Sequence, residues 1–192
     1  MLLTILTMAT GWIALTLWAE ATGPNRSWKL GITSTGKQAL IVYDPDPFYN
    51  LDEQVCRSFA QGLADRGVGV NVATVAAANE INGRVFDLYV FCANTYNWQP
   101  DWAVTRFIEG QAPMKGKFVV AITLGSGSTG LSQKALERLI IRSQGIIVDS
   151  RSFWLLRPND ESHIGEPNVE TANSIAYHWA QKIEEKLQDS QH

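Results

Sequence analysis

Apolar runs of strand length alternate with amphipathic runs of helix length along most of this chain. The run 39–43, with the sequence ALIVY, is short and fully apolar, as a strand buried on both faces requires. The segment 51–66 follows, and its apolar side chains recur at successive i+4 steps, which predicts an amphipathic helix. The same reasoning predicts further strands at 68–75, 86–92, 118–124 and 145–149, and further helices at 101–109, 131–142 and 169–187.

Five strands that alternate with helices predict an α/β fold: a three-layer, doubly wound, five-stranded parallel sheet within residues 38–192. In such sheets a ligand binds beyond the carboxyl ends of the strands, where the strand order reverses. The loops that follow the first, third and fourth predicted strands are therefore the places to look for a site. They cover residues 44–50, 93–99 and 125–130.

The first 19 residues differ from the rest because none of them carries a charged side chain. As a helix they would be about 28 Å long, which is roughly the hydrocarbon thickness of a bilayer. We therefore expect a hydrophobic N-terminal helix, with a transmembrane anchor or signal segment over residues 1–22. A signal cleaved near Ala21 is the alternative, because residues 19–21 have the small-x-small pattern of a cleavage site. The Gly-Pro-Asn that follows predicts a linker over 23–37.

The basic residues nearest to this segment give it an orientation. Arg26 and Lys29 come directly after it, and by the positive-inside rule they favour a single-pass protein whose domain is cytoplasmic. An exported domain is the alternative if the segment is a cleaved signal. Membrane contact through residues 1–19 is therefore the first expected interaction of this chain.

Composition excludes several classes of function. A net charge of −3 with no cluster of Lys or Arg gives no electrostatic footprint for nucleic acid. The two cysteines, Cys56 and Cys92, and the three histidines have no metal-ligand spacing. Apolar residues make up 45% of the chain and charged residues 18%, which is the balance of a globular domain.

The first of the three loops, DPDPFYN, has no glycine and so cannot be a phosphate-binding P-loop. Its two carboxylates, on Asp44 and Asp46, are of the type that hard divalent cations bind. A metal-dependent hydrolase that uses this pair is one hypothesis. A proline-stiffened turn with solvated carboxylates is the simpler interpretation.

The other two loops have different chemistry. The loop after the third strand, ANTYNWQP, places two aromatic side chains at the mouth of the sheet, where they could stack on a planar heterocycle. The loop after the fourth strand, GSGSTG, lets backbone N–H groups approach a ligand closely.

Residues 39 to about 180 resemble the flavodoxin and NAD(P)H-dependent FMN reductase family. The segments that carry the resemblance are ALIVYDPDPFYNLDEQVCRSFAQGLADRG, DLYVFCANTYNWQPDWAVTRFIEG and FVVAITLGSGSTGLSQKALERLI. The resemblance implies strand order 2-1-3-4-5, an FMN cofactor, and a redox partner protein or NAD(P)H. It also implies the cofactor-binding residues Asp46, Tyr49, Asn50, Asn94, Thr95, Tyr96, Trp98, Gly125, Ser126, Gly127 and Gly130.

The first loop departs from the family pattern. Leu51 stands where the family has a phosphate-binding Thr, and Asp44 and Asp46 would repel the FMN phosphate. Each such charge pair, about 5 Å apart at an effective dielectric of about 20, costs roughly 3 kcal/mol before salt screening. Three functions remain open: a membrane-tethered redox protein that transfers electrons through FMN, a flavodoxin-like interaction module without cofactor, and the metal-dependent hydrolase that uses Asp44 and Asp46.

Overall fold

The structure is a computed structural model and describes residues 1–81, 84–110 and 114–189. Within these ranges it contains six α-helices, seven strands and a short 3-10 helix at Glu161–His163. The helices are α1 (Leu2–Ala19), α2 (Leu51–Ala64), α3 (Val75–Glu80), α4 (Trp102–Gly110), α5 (Gly130–Arg142) and α6 (Asn168–Asp189). The strands are β1 (Ser27–Leu30), β2 (Gln38–Tyr43), β3 (Gly69–Thr74), β4 (Leu88–Tyr96), β5 (Gln99–Pro100), β6 (Phe118–Gly125) and β7 (Ile146–Trp154).

The strands form one mostly parallel sheet in the order β1-β3-β2-β4-β6-β7, and β5 pairs only with β4. Strands β3, β2, β4, β6 and β7 are mutually parallel. These are the five strands predicted from the sequence, and they stand in the predicted order 2-1-3-4-5. The order reverses between β2 and β4, so these two strands flank the switch point of the sheet.

Two strands were not among the five expected. β1 lies inside the segment 23–37, which the sequence predicted to be a linker, and pairs antiparallel with β3 at the edge of the sheet. The segment expected to be a linker therefore contains a strand, and two half-buried side chains of that strand, Trp28 and Leu30, pack against the core. The second unexpected strand, β5, forms a hairpin with the end of β4.

Two predicted strands are longer than their apolar runs. β4 continues to Tyr96 because Thr95 and Tyr96 pair with β5. β7 continues from the predicted end at residue 149 to Trp154, in register with β6 up to Gly125. β7 is an edge strand, where polar residues are allowed. Residues 149–152, with the sequence DSRS, are polar, so the hydropathy pattern does not predict that the strand continues through them.

The helices cover the two faces of the sheet with separate cores. On one face α2 and α6 pack together, with Phe59 and Trp179 in edge contact at 5.2 Å between ring centroids. On the other face α3, α4 and α5 cover the sheet around Tyr89, Phe91 and Phe107. This is the three-layer arrangement that the alternating pattern predicts.

Helix α1 lies outside these two cores. Up to its last turn its described side chains are exposed, for example Leu3 at 77%, Met8 at 72% and Trp12 at 62%. Over the described residues, no helix has both the length and the apolar character needed to cross a membrane.

Candidate functional site

A small pocket lies at the carboxyl edge of the sheet, where the ends of β2, β4 and β6 meet. This is the switch point, the usual position of a ligand in sheets of this kind. The pocket has a volume of about 130 Å³, below the roughly 300–1,000 Å³ typical of ligand sites. Its lining residues are Asp46, Phe48, Tyr49, Leu51, Asn94, Thr95, Tyr96, Leu124, Gly125, Ser126 and Leu155.

The β2–α2 loop is closed by the carboxylate of Asp46. One oxygen, Oδ1, accepts hydrogen bonds from the backbone N–H groups of Phe48 at 2.6 Å and Tyr49 at 3.2 Å. The other oxygen, Oδ2, accepts from the hydroxyl of Tyr96 at 2.9 Å. Asp46 therefore shapes its own loop and also connects it to the end of β4.

A second carboxylate, on Asp52 in the first turn of α2, is hydrogen-bonded to the same loop. Its Oδ2 accepts from the backbone N–H of Asp46 at 2.6 Å and from Nδ2 of Asn94 at 3.1 Å, and its Oδ1 accepts from the N–H of Glu53 at 2.7 Å. Asn94 Nδ2 also donates to the carbonyl of Asp44 at 2.9 Å. The Asn94 amide therefore links β4 to the first loop, and both Asn94 and Asp52 are buried.

The β4–β5 hairpin supplies the opposite wall of the pocket. Its two turn residues, Asn97 and Trp98, have φ values of +49° and +60°, as a type I′ turn requires. Thr95 lies just before this turn, and its Oγ1 is buried without a hydrogen-bond partner in the described structure. A buried polar atom without a partner is rare and marks a place where a ligand or water can bind. Thr95 is therefore a polar contact available to a ligand inside the pocket.

The β6–α5 loop closes the third side. Gly125 lies so close to its neighbours that an added Cβ would be 2.9 Å from Thr129 Cγ2 and 3.3 Å from Thr95 Cβ. Further along, the hydroxyl of Thr129 accepts from the indole N–H of Trp154 at 2.9 Å. Glycine at position 125 thus allows this loop to pack closely against Thr95 and Thr129.

The structure divides the predicted cofactor-binding residues into two groups. The pocket is lined by Asp46, Tyr49, Asn94, Thr95, Tyr96, Gly125 and Ser126. The residues Asn50, Trp98, Gly127 and Gly130 are not part of this lining.

Each residue of the second group has another position. Asn50 precedes α2, and its Oδ1 accepts from Gln54 Nε2 at 2.7 Å. Trp98 is 60% exposed at the hairpin tip. Gly127 and Gly130 line a separate surface cavity at the start of α5.

Sequence reasoning missed three carboxylates that organise this edge of the sheet. Besides Asp52, Asp101 accepts from the backbone N–H groups of Asn94 at 2.9 Å and Val104 at 2.8 Å, and so caps α4. Glu20 accepts from the N–H of Trp102 at 2.7 Å. The position of Asp101 directly before a helix was an available N-cap signal, whereas the roles of Asp52 and Glu20 depend on tertiary contacts.

Burial shifts the acid–base behaviour of this edge. Desolvation raises the pKa of Asp44 to about 6, against the opposing effect of the Gly23 N–H. Desolvation also raises the pKa of Asp52 to about 6, although Asn94 and two backbone N–H groups favour its charged form. The pKa of the fully buried Asp101 is raised well above its usual value for the same reason. Burial and the neighbouring Asp46 raise the pKa of Tyr96, which therefore keeps its proton.

The last turn of α1 contacts both loops that flank the pocket. The rings of Trp18 and Phe48 meet edge to face, with centroids 5.1 Å apart. Asn97 Nδ2 donates to the Thr16 hydroxyl at 3.4 Å. Together with the Glu20 bond to α4, these contacts place the end of the apolar helix beside the pocket.

The hydrolase hypothesis finds no support in this geometry. Asp44 Oδ1 accepts from the Gly23 N–H at 2.9 Å, and Asp46 is bonded to its own loop. Among the described residues, no three His, Cys, Asp or Glu side chains are grouped to hold a metal ion.

Solved structures with a similar arrangement of strands and helices include flavodoxins and a flavone reductase. A flavodoxin from the domain Archaea has a TM-score of 0.54 and 11% identity, over 77% of this chain and 99% of that one. The two-electron reduced flavodoxin of Megasphaera elsdenii has a TM-score of 0.54 and 15% identity, over 73% and 98%. A flavone reductase has a TM-score of 0.59 and 15% identity, over 81% of this chain and 64% of its own length. No family model matches the chain, and no curated protein matches it in sequence.

These similarities define the class of fold. The chain has a flavodoxin-like fold, with its pocket at the switch point of the sheet. At 11–15% identity the likeness concerns the fold, and the function is argued from the pocket itself.

Proposed function

We propose that this protein is a flavodoxin-like electron carrier that binds a flavin ring at the switch point and is held at a lipid surface by α1. Its redox partner would be another protein or NAD(P)H. In this proposal the flavin supplies the redox chemistry, and the chain positions the ring and controls its surroundings.

One observation carries the proposal: Thr95 lines the pocket, and its buried hydroxyl has no hydrogen-bond partner within the part of the chain that the structure describes. It lies where the β2–α2 loop and the β4–β5 hairpin face each other, with Tyr49 and Tyr96 beside it. A heterocycle with hydrogen-bonding edges and a hydroxylated side chain would satisfy this atom, and the aromatic neighbours would contact its ring. The pocket is smaller than a flavin, so binding requires the Tyr96–Asp46 bond between the two loops to open.

FMN, the cofactor expected from the sequence, fits this pocket only in part. Thr95 and the aromatic side chains would hold its ring. Its phosphate would have to bind at the β2–α2 loop, where Asp46 already accepts the N–H groups of Phe48 and Tyr49. Among the described residues that line the pocket there is no Lys or Arg that could neutralise a phosphate.

The attachment to lipid is proposed from α1. The first 19 residues carry no charged side chain, and the helix exposes most of its apolar side chains. A helix that is apolar on every face gains free energy by leaving water. Arg26 and Lys29 follow it, which favours a cytoplasmic domain at the inner surface.

Titration of the full chain in mild detergent tests the flavin proposal. We expect riboflavin to bind with quenching of its fluorescence and a shift of its visible absorption. Thr95→Val, which removes the hydroxyl and keeps the shape, should weaken binding by about tenfold, equivalent to one hydrogen bond. Thr105→Val is the matched control, because Thr105 is outside the pocket lining and its hydroxyl donates only within α4, to the carbonyl of Trp102. If neither riboflavin nor FMN changes its spectrum, the chain is not a flavin carrier.

Co-flotation with phosphatidylcholine vesicles tests the attachment. The full chain should float with the vesicles, and the double change Leu6→Glu with Ile13→Glu should release it. Ile141→Glu introduces a charge at an equally exposed apolar residue of α5 and should have no effect. Release by the control change would place lipid contact on the domain instead of on α1.

A flavodoxin-like interaction module without cofactor is the second candidate. The bond between Tyr96 and Asp46 supports it, because it connects the two walls of a pocket of only about 130 Å³. Stoichiometric flavin in the titration above would exclude this function.

A further inference from the structure

The N-terminus of α2 and the loop before it hold four backbone N–H groups that point at carboxylates of the same chain. Those of Phe48 and Tyr49 donate to Asp46, and those of Asp46 and Glu53 donate to Asp52. Such N–H groups at the start of a helix are the usual donors to a phosphate or another bound anion. Here the chain supplies two anions of its own at this position.

Of the two carboxylates, only Asp46 lines the pocket. It accepts three hydrogen bonds, because the hydroxyl of Tyr96 completes the pair of backbone donors. A phosphate entering beside it would have to displace these donors and would face a fixed negative charge. The described lining offers no cation in compensation, since its remaining side chains are apolar, aromatic or uncharged.

Other residues of the pocket lining have the reverse character. Thr95 Oγ1 is buried and has no hydrogen-bond partner among the described residues, so it can either donate to or accept from a ligand hydroxyl. Ser126 is another uncharged polar group in the lining. The pocket therefore combines one occupied anion position with free neutral hydrogen-bonding groups.

We propose that Asp46 occupies the anion position of this site, so that the site selects an uncharged flavin with a hydroxylated side chain over its phosphorylated form. In chemical terms the preferred ligand is of the riboflavin type, and FMN is disfavoured. This inference rests on the proposed function, since it concerns which flavin the same pocket takes.

Parallel titrations of the full chain with riboflavin and FMN test the inference by fluorescence quenching, which needs no catalytic activity. We expect riboflavin to bind more tightly by about tenfold or more at low salt, because Asp46 opposes the phosphate. Added salt should reduce the difference by screening the charge. Equal or tighter binding of FMN would overturn the inference and leave the flavin carrier standing. Binding of neither flavin would overturn both.

Two substitutions locate the effect at Asp46. Asp46→Asn keeps an acceptor for the Phe48 and Tyr49 N–H groups and removes the charge, so the preference for riboflavin should disappear. Asp46→Ser also frees those N–H groups, so FMN should become the tighter ligand. The matched control is Glu109→Gln, which removes a carboxylate from the exposed side of α4 and should keep the wild-type ratio. Circular dichroism confirms that each variant is folded, and an unchanged ratio in folded Asp46→Asn would overturn the inference.

Discussion

Two strand-to-helix connections at the same edge of the sheet differ in the charge of the side chains near the start of the helix. In the β2–α2 connection, backbone N–H groups donate to the carboxylates of Asp46 and Asp52. The β6–α5 connection holds no acidic side chain, and its residue before the helix, Thr129, forms no side-chain cap. The cavity beside it, of about 380 Å³, is lined by Lys134 and Arg157 as well as Glu137.

The difference shows that equal topology does not give equal chemistry. Both connections follow parallel strands and precede amphipathic helices. In the β2–α2 connection, however, the carboxylate of Asp46 occupies the position where an anion would bind. The β6–α5 connection instead contributes Gly125 to the pocket, and the hydroxyl of Thr129 accepts a hydrogen bond from the indole of Trp154. A ligand in the pocket between them meets negative charge on one side and neutral groups on the other.

The largest expected effect comes from removing the carboxylate that holds the first connection. Asp52→Ala leaves three donors without their acceptor, those of Asp46, Glu53 and Asn94. Because the site is buried, we expect the free energy of unfolding to fall by about 3 kcal/mol. Denaturation by urea measures this change.

The matched substitution in the second connection is Thr129→Ala. It removes one neutral acceptor, that of the Trp154 indole, and should lower the free energy of unfolding by about 1 kcal/mol. An equal loss in both variants would contradict the distinction between a charged and a neutral connection.

The pH dependence of stability should also separate the two connections. The pKa of Asp44 and of Asp52 is raised from the ordinary value of 3.8 to about 6, so the folded protein holds these protons more tightly than the unfolded chain. Their contribution is fully present below about pH 4 and is lost as the pH rises through 6. Each pKa unit corresponds to about 1.4 kcal/mol, and after allowance for solvent access we expect roughly 2 kcal/mol from the pair.

Glu53 and Asp149 have lowered pKa values, so their contributions to stability are lost as the pH falls, opposite to those of Asp44 and Asp52. The variant Asp44→Asn is therefore needed to isolate the contribution of Asp44. The amide oxygen can still accept the Gly23 N–H, so the change removes the titration and keeps the contact. Between pH 4 and 6, urea denaturation of Asp44→Asn should show about half the wild-type slope attributed to the pair. A slope identical to that of wild type would mean that Asp44 is not responsible.

The β6–α5 connection can be tested by adding a methyl group at Gly125. Gly125→Ala would place a Cβ 2.9 Å from Thr129 Cγ2 and 3.3 Å from Thr95 Cβ, so we expect a loss of about 1–2 kcal/mol in stability and weaker riboflavin binding. Gly127→Ala is the matched control, because its Cβ would approach only the Cβ of Arg157, at an ordinary 3.6 Å. If both variants bind riboflavin as wild type does, Gly125 does not shape the ligand site.

The parts of the fold that sequence could predict are those that depend on local pattern. The run at 39–43 is predictable because a strand buried on both faces requires apolar residues throughout. The helix at 51–64 is predictable because it is buried along one stripe and therefore has periodic apolar residues. β1 and the second half of β7 lie at the sheet edges, where polar residues are allowed, so hydropathy carries no signal there.

The candidate site was predictable by position but only partly by residue. Topology locates the pocket, and Asp46, Tyr49, Thr95 and Gly125 do line it. The bond between Asp46 and Tyr96 joins side chains 50 positions apart, and Asn94 reaches Asp52 over 42 positions. Local patterns cannot show such pairings, because they depend on how two loops meet.

The smallest expected effect concerns the hairpin that stands between the two connections. Trp98 holds a φ of +60°, a conformation that glycine adopts freely and a tryptophan only with strain, and its side chain is 60% exposed. Trp98→Gly should therefore raise the free energy of unfolding by about 0.5–1 kcal/mol. Trp98→Ala loses the same ring and keeps the strain, so it should be no more stable than wild type. Thermal denaturation of both variants separates the backbone from the ring, and equal melting temperatures would show that the turn is unstrained. If Trp98 also contacts the flavin, both variants should bind riboflavin equally weakly, because they lack the same side chain.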